Sequence, residues 1–260
     1  MSDAPAPPQT YTGGELPDIG ELLSETLTEF MENIGPYAMA GLGQMLLLIP
    51  LIMVVMVGMY ALIAVGIFGV VIGGVGIAAV LPEELAGLGM IVGQLVLMGG
   101  MGVAFFGAIG FIGAIVAPVS ASLVRAVAAH QRGEKTLELT SAFSSLTENV
   151  GAVIAGAAIL SVVSMGLAMM CYFPALLPVI FLSFAAPLIA LHGMGAMDGI
   201  RTALAHARAH FQWHAMFGLL HLVMLMAAGS IPVVGFMFVV AFQVRAYRRV
   251  FGDGSEPVLA

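Results

Sequence analysis

The side chains best suited to chemistry in this sequence are the histidines of one stretch, residues 192–221. His206, His210 and His214 follow one another at intervals of four residues, and His221 comes seven residues later. Residues four positions apart share one face of an α-helix. Imidazole nitrogens with that spacing can bind a divalent metal ion. His206, His210 and His214 are therefore the candidate metal ligands.

Three interpretations of these histidines stay open. They are interfacial side chains hydrogen-bonded to backbone or water, or metal ligands, or pH sensors, because the pKa of histidine is close to neutral. His206 and His214 lie about 12 Å apart along a straight helix, so one ion reaches both only if the helix bends. The sequence has no HExxH or CxxC motif. We favour the interfacial interpretation and predict no cofactor.

Other sequence signals of enzymatic or nucleotide chemistry are missing. The sequence contains no GKS or GKT loop, and its single cysteine, Cys171, has no partner for an intrachain disulfide. We find no catalytic combination of residues and predict that the chain is not an enzyme. A net charge of −7 argues against a nucleic-acid partner, and neither nucleic acid nor nucleotide is predicted to bind.

The composition places the chain in the membrane class. Hydrophobic residues make up 60% of the 260 residues and charged residues only 9%, and the mean hydropathy is +1.07. Soluble domains are far more polar. A helix that crosses the hydrocarbon core needs about 20 residues. The fold class predicted is therefore an all-α, polytopic membrane helix bundle, with residues 16–250 as one membrane domain between tails at 1–15 and 251–260.

The basic residues indicate how this bundle is oriented. All eight lie at or after Arg125, in three clusters: Arg125, Arg132 and Lys135; Arg201 and Arg208; Arg245, Arg248 and Arg249. Basic residues concentrate on the cytoplasmic side of membrane proteins. An even number of spans must then separate the clusters, and both termini are predicted to be cytoplasmic. Arg201 and Arg208 would lie at the water interface.

About six transmembrane helices fit these constraints, with eight as the alternative. The run from 150 to 197 is long enough for a hairpin that turns near Pro174, and residues 229–232 turn the last hairpin. Residues 36–121 carry only two charges and form either two long helices or four shorter ones, the latter turning at Gly58 and at 99–102. Spaced glycines such as those at 69 and 73 favour close helix packing.

A repeated pattern divides the chain into three units of interfacial helix plus hairpin, about 16–135, 136–196 and 197–250. Glu-Asn-(Ile/Val)-Gly precedes the apolar run at 32–35 and again at 148–151. The third copy has His-Phe-Gln-Trp at 210–213 in the same place. The repetition predicts that each unit begins with an amphipathic helix at the membrane surface.

The first of these interfacial helices is acidic on one face. Asp18 is its predicted N-cap, and Glu21, Glu25, Glu29 and Glu32 follow on one side. Such a face is usually solvated. The alternative is that the acids dock on a basic surface, either Arg201 and Arg208 or the cluster Arg245, Arg248 and Arg249.

Two segments together resemble a known family. Residues 123–146 combine a basic helix end, a Gly-Glu-Lys turn and an amphipathic stretch. Residues 172–220 combine a Pro-rich turn, a span, an Ala-rich amphipathic helix, His-Phe and a run that opens with Gly-Leu-Leu. This arrangement resembles the membrane domain associated with glycerophosphodiester phosphodiesterases and related six-helix families of unknown function. The resemblance implies a prokaryotic cytoplasmic (inner) membrane location and carries no phosphodiesterase activity.

Three functions remain compatible with these observations. The preferred one is a non-enzymatic integral membrane protein that scaffolds or modulates lipids, a protein partner or a second copy of itself. The alternatives are a transporter, channel or lipid-translocating protein, and a metal- or haem-binding protein that uses the histidine face. Because His192, His214 and His221 are expected at or near span ends, ionisable groups inside the membrane are scarce, which argues against a proton-coupled pump.

Overall fold

The computed structural model describes residues 16–80, 87, 91–93, 112–170 and 174–252. Outside these residues lie the predicted tail at 1–15, residues 253–260 of the predicted tail at 251–260, residues 171–173 of the predicted outer turn and the predicted turn at 99–102. The predicted start of the second tail is wrong, because Phe251 is the last residue of a helix and is buried. All regular structure in the described part of the chain is helical. The all-α prediction is confirmed.

The helices follow one another in a simple order. The described α-helices are α1 Ile19–Glu32, α2 Ile34–Val80, α3 Ile112–Gln131, α4 Val150–Met170, α5 Leu177–Phe181, α6 Ala185–Leu191, α7 Ala196–Ala209, α8 Phe211–Ala228 and α9 Pro232–Phe251. Two short 3₁₀ helices, Leu139–Phe143 and Pro174–Leu176, precede α4 and α5.

The chain divides into two compact units. The first unit comprises Met1–Leu47 and Gly113–Ala260, and it contains every side-chain contact discussed below. The second unit is Leu48–Ile112, whose described side chains are largely exposed and apolar, as with Val54 and Phe68. Exposed apolar side chains on long helices are what a hydrocarbon environment accepts.

Four of the described helices are long and apolar enough to cross a membrane: Ile34–Gly58 within α2, then Ile112–Gln131, Val150–Leu167 and Phe211–Ala228. Each has at least the 18 residues that such a crossing requires. The apolar helices support a membrane protein with several spans. The predicted number of six spans stays a prediction.

Helix α2 runs for 47 residues without interruption. It passes through Gly58, so the turn predicted there for a four-span arrangement is absent. A single glycine in an apolar run leaves the main-chain hydrogen bonds intact, and only its lower helix propensity opposes the helix. Pro50 is also accommodated inside α2.

The returning arm of the hairpin after α4 is broken into short helices. Pro174 opens a 3₁₀ helix, Pro178 lies in the first turn of α5, and α6 begins only after a turn at residues 182–184. The second helix of the predicted hairpin is therefore not continuous. Proline supplies no N–H to continue a helix. Irregular backbone at membrane depth is tolerated where it is buried in protein, and Phe184 is fully buried here.

The prediction of an interfacial helix in the second repeat is also wrong. Leu139–Phe143 is a 3₁₀ helix, and turns occupy residues 144–149. Serine hydroxyls bind main-chain groups here: Ser141 Oγ accepts from Glu138 N at 2.8 Å, and Ser144 Oγ donates to Ser141 O at 3.0 Å. Such local hydrogen bonds compete with the α-helix.

In each of the three predicted repeats, the residue just before a membrane-length helix has a non-helical backbone. Asn33 separates α1 from α2, and His210 separates α7 from α8. Asn149 precedes α4 with a φ of 50°, and its Nδ2 donates to Ile189 O and Met194 O at 3.0 Å each. Asparagine tolerates the left-handed conformation better than most residues. The repeated Glu-Asn motif thus marks the start of a span.

Aromatic rings of α8 and α9 pack around Phe184 to form the core of the first unit. The ring centroid of Phe184 lies 5.0 Å from that of Phe217 and 5.7 Å from that of Phe251. Trp213 stacks on Phe217 at 5.1 Å. Stacked and edge-to-face ring pairs at these separations add to the stabilisation from apolar burial.

Candidate functional site

Helix α1 docks on α9 through ion pairs. Arg245 Nη1 lies 3.0 Å from Glu25 Oε2, Arg245 also pairs with Glu29, and Arg249 Nη2 lies 2.8 Å from Glu25 Oε1. The acidic face was expected to be solvated or to dock on one of two basic clusters. Glu25 and Glu29 dock on the cluster of Arg245, Arg248 and Arg249. Arg248 is half-buried on the same helix.

The charges of this network are partly shielded from water. The side chains of Glu25, Glu29 and Arg245 are 29%, 20% and 21% exposed. Burial raises the pKa of Glu25, but hydrogen bonds and the positive charges of Arg245 and Arg249 outweigh it, so the pKa lies below the ordinary 4.5. A shared, partly buried network stabilises more than an isolated surface pair.

The N-terminal end of α1 is fixed as well. Asp18 Oδ1 accepts a hydrogen bond from Glu21 N at 2.9 Å, which confirms the predicted N-cap. Trp213 Nε1 donates to Pro17 O at 2.9 Å and joins α8 to the start of α1. Glu21 itself is exposed. The acidic face is therefore divided between docked and solvated carboxylates.

Arg125 joins three parts of the first unit. Its guanidinium donates to Ala190 O at 2.9 Å, Ser145 O at 3.0 Å and Glu148 O at 2.8 Å. An ion pair to the Glu148 carboxylate at 3.4 Å completes the set. The planar, always charged guanidinium can satisfy several carbonyls at once. Arg125 thus connects α3, the turn after the 3₁₀ helix and the end of α6.

These contacts enclose a polar cleft with a volume of about 1310 Å³. We define the polar cleft by its lining from α1, α3, the segment 132–148, the end of α6 and α9. Its charged members are four basic and four acidic residues: Arg125, Arg132, Lys135 and Arg245, with Glu29, Glu134, Glu138 and Glu148. Thr140 and Ser144 add hydroxyl groups. Basic residues of two predicted cytoplasmic clusters therefore meet in one place.

Arg201 and Arg208 lie elsewhere. Both are exposed on α7, seven residues apart, while Ala203 and Ala207 on the opposite face are buried. An amphipathic helix with outward arginines next to a membrane span is typical of the water interface. These two arginines do not belong to the lining of the polar cleft.

The histidine set is partly brought together because the helix breaks at His210. The break brings His206 Nδ1 to within 2.7 Å of His214 Nε2, and the ring centroid of His210 lies 4.7 Å from that of His206. Within the described residues, no group of three His, Cys, Asp or Glu side chains is arranged to hold a metal ion. Burial and the neighbouring His210 lower the pKa of His206 to about 4.

One histidine lies where the sequence interpretation did not place it. His221 was expected at or near a span end, but it is the eleventh of the 18 residues of α8 and lies in the middle of the span. It is only 6% exposed, and its Nδ1 is buried without a hydrogen-bond partner. The start of the span at Phe211, just after the break, is the signal that would have located it.

The chain was compared with known families and proteins. No family model matches it, and no curated protein or solved structure is significantly similar to it.

Proposed function

We propose that this protein is a non-enzymatic integral membrane protein that holds a polar partner in the polar cleft. The partner is a segment of another protein or a lipid headgroup, and the protein acts as a scaffold or modulator in a prokaryotic cytoplasmic membrane. The observation that carries the proposal is the size of the cleft, about 1310 Å³, together with its eight charged side chains. That volume exceeds the range of a small-molecule site.

The charge balance of the cleft indicates the kind of partner. Four basic and four acidic side chains line it, so it attracts neither polyanions nor polycations over a distance. Interfaces achieve specificity by matching positive and negative groups locally. A peptide segment with both charges or a zwitterionic headgroup matches this surface.

The membrane arrangement is part of the proposal. Arg125, Lys135 and Arg245 line the cleft, and the positive-inside rule then puts it on the cytoplasmic side. We propose six spans, with the broken arm α5–α6 and the helix α9 completing the four long apolar helices. We also propose a relationship to the membrane domain associated with glycerophosphodiester phosphodiesterases.

A transporter or lipid-translocating protein is the second candidate. It is favoured by one observation, the position of His221 in the middle of α8. An ionisable residue inside a membrane span is a common feature of transport pathways.

Placing a bulky side chain in the polar cleft tests the proposal. Thr140 lines the cleft and is exposed, whereas Thr147 is exposed on the same segment outside it. We expect native mass spectrometry of the wild type, released from its own membrane, to show a retained lipid or protein mass. The Thr140→Trp variant should lose that mass, and the Thr147→Trp variant should keep it. Equal retention in both variants, or a bare wild-type mass, would contradict the proposal.

A further inference from the structure

A second, smaller cavity lies among the membrane helices of the first unit. Its volume is about 210 Å³, and its walls come from α3, α4, α6, α8 and α9. Most of its lining is apolar, including Leu123, Val153, Leu225 and Phe236. It shares no lining residue with the polar cleft.

The size of the cavity is that of a small ligand. An apolar cavity of about 150 Å³ in a protein core stays dry and binds benzene. The cavity here is larger. An apolar occupant of this size gains dispersion contacts with the lining.

His221 gives this apolar cavity a polar group. Its side chain lines the cavity and is 6% exposed, and its Nδ1 is buried without a hydrogen-bond partner. The imidazole is held in place by stacking on Phe217, with ring centroids 5.9 Å apart. Buried polar atoms are normally hydrogen-bonded, and an exception needs an explanation.

A second polar side chain is fixed at the wall. Gln243 lines the cavity, and its Nε2 donates to Ser183 O at 2.5 Å. This hydrogen bond orients the carboxamide. Ligand sites of this kind combine an apolar lining with a few oriented polar groups.

The surroundings indicate where an occupant comes from. Outward side chains of the helices that enclose the cavity are strongly exposed and apolar, including Val162 on α4 at 63% and Met226 on α8 at 75%. These faces suit the hydrocarbon of the bilayer. An apolar molecule dissolved in the membrane is therefore already concentrated beside the cavity.

We propose that this cavity binds an aliphatic molecule that carries one hydroxyl or carbonyl group, which hydrogen-bonds to His221. Either a free aliphatic alcohol or the oxygen-bearing end of a lipid acyl chain supplies that chemistry. The inference is independent of the polar cleft, so the Thr140→Trp variant should leave this binding unchanged.

Photolabelling of the full-length protein in phosphatidylcholine vesicles tests the site. The probe is octanol carrying a diazirine, and labelled peptides are located by mass spectrometry. We expect label on α4 and α8 at the cavity, competed by 1-octanol. n-Octane should compete about fivefold more weakly, because one hydrogen bond changes a binding constant by about that factor.

Two variants and a matched control separate the site from adventitious labelling. Ala157 lines the cavity, and Ala158 follows it on α4 without lining it. Ala157→Phe should abolish the label, Ala158→Phe should preserve it, and His221→Phe should weaken it about fivefold while keeping an aromatic ring. Equal labelling of the two alanine variants would overturn the site. Equal competition by octane and octanol would overturn the role of His221.

A second probe distinguishes the two sources of ligand. Vesicles made with phosphatidylcholine that carries a diazirine on an acyl chain replace the free alcohol. Label at the cavity from the lipid assigns the occupant to an acyl chain, and label from octanol alone assigns it to a free alcohol. Both results support the site, whereas cavity label from neither probe overturns it.

Discussion

At the scale of single residues, charge pairing determines how α1 is attached. Asp18 could be predicted as a cap because the cap and the N–H that it accepts lie three residues apart. The partners of Glu25 could not, because Arg245 is 220 residues away and Arg201 and Arg208 offered the same charge. Sequence spacing predicts local hydrogen bonds, whereas pairing between distant residues depends on the packed fold.

The ion-pair network leads to the first residue-scale prediction. Replacing Glu25 or Glu29 by Lys puts like charges beside Arg245, so we expect each change to destabilise the protein by about 2 kcal/mol. Thermal unfolding in detergent measures the effect. Glu32→Lys is the control, because Glu32 is exposed on the same helix. If all three variants have the melting temperature of the wild type, the docking of α1 contributes nothing to stability.

The position of His221 was missed for a physical reason. Hydropathy alone does not specify where a span begins, and the break at His210 decides that α8 starts at Phe211. Counting from that start moves His221 to the middle of the span. The break also brings His206 and His214 together, which a continuous helix would have kept apart.

At the scale of elements, spans and turns with strong signals were predictable. The turn at 229–231 and the start of α9 at Pro232 agree with the sequence interpretation. The 3₁₀ helix at Leu139–Phe143 and the broken arm α5–α6 were not predicted. Their conformations depend on serine hydroxyls and prolines that compete with helical hydrogen bonding. The hydrophobic periodicity of the sequence gives no information about that competition.

Close packing of α8 against the broken arm gives an element-scale prediction. A Cβ on Gly218 would lie 2.5 Å from Ile180 O and 2.6 Å from Ile180 Cα, both main-chain atoms. Gly218→Ala should therefore destabilise the protein by about 2 kcal/mol, measured as a lower melting temperature in detergent. Gly166→Ala on α4 is the control, because a Cβ there meets nothing within 4 Å. Equal melting temperatures would show that the two elements are not in close contact.

At the scale of the complete fold, composition was enough to predict an all-helical chain with several apolar helices of membrane length. Only two of the three basic clusters come together, because Arg201 and Arg208 lie outside the polar cleft. Arg125 and Arg245 come from two different clusters and line the same polar cleft. The number of spans could not be settled in the same way. Residues 36–121 offer almost no charges to orient a helix, and α2 continues past the length of one span.

We propose that the first unit spans the membrane with its polar cleft on the cytoplasmic side. Single cysteines introduced by Thr140→Cys and Ser230→Cys in a Cys171→Ser background test it with a membrane-impermeant maleimide. Thr140 lines the cleft, and Ser230 is exposed in the turn between α8 and α9. We expect the Ser230→Cys variant to react in intact bacterial cells and the Thr140→Cys variant only after permeabilisation. Reaction of both from one side, or the reverse order, would contradict it.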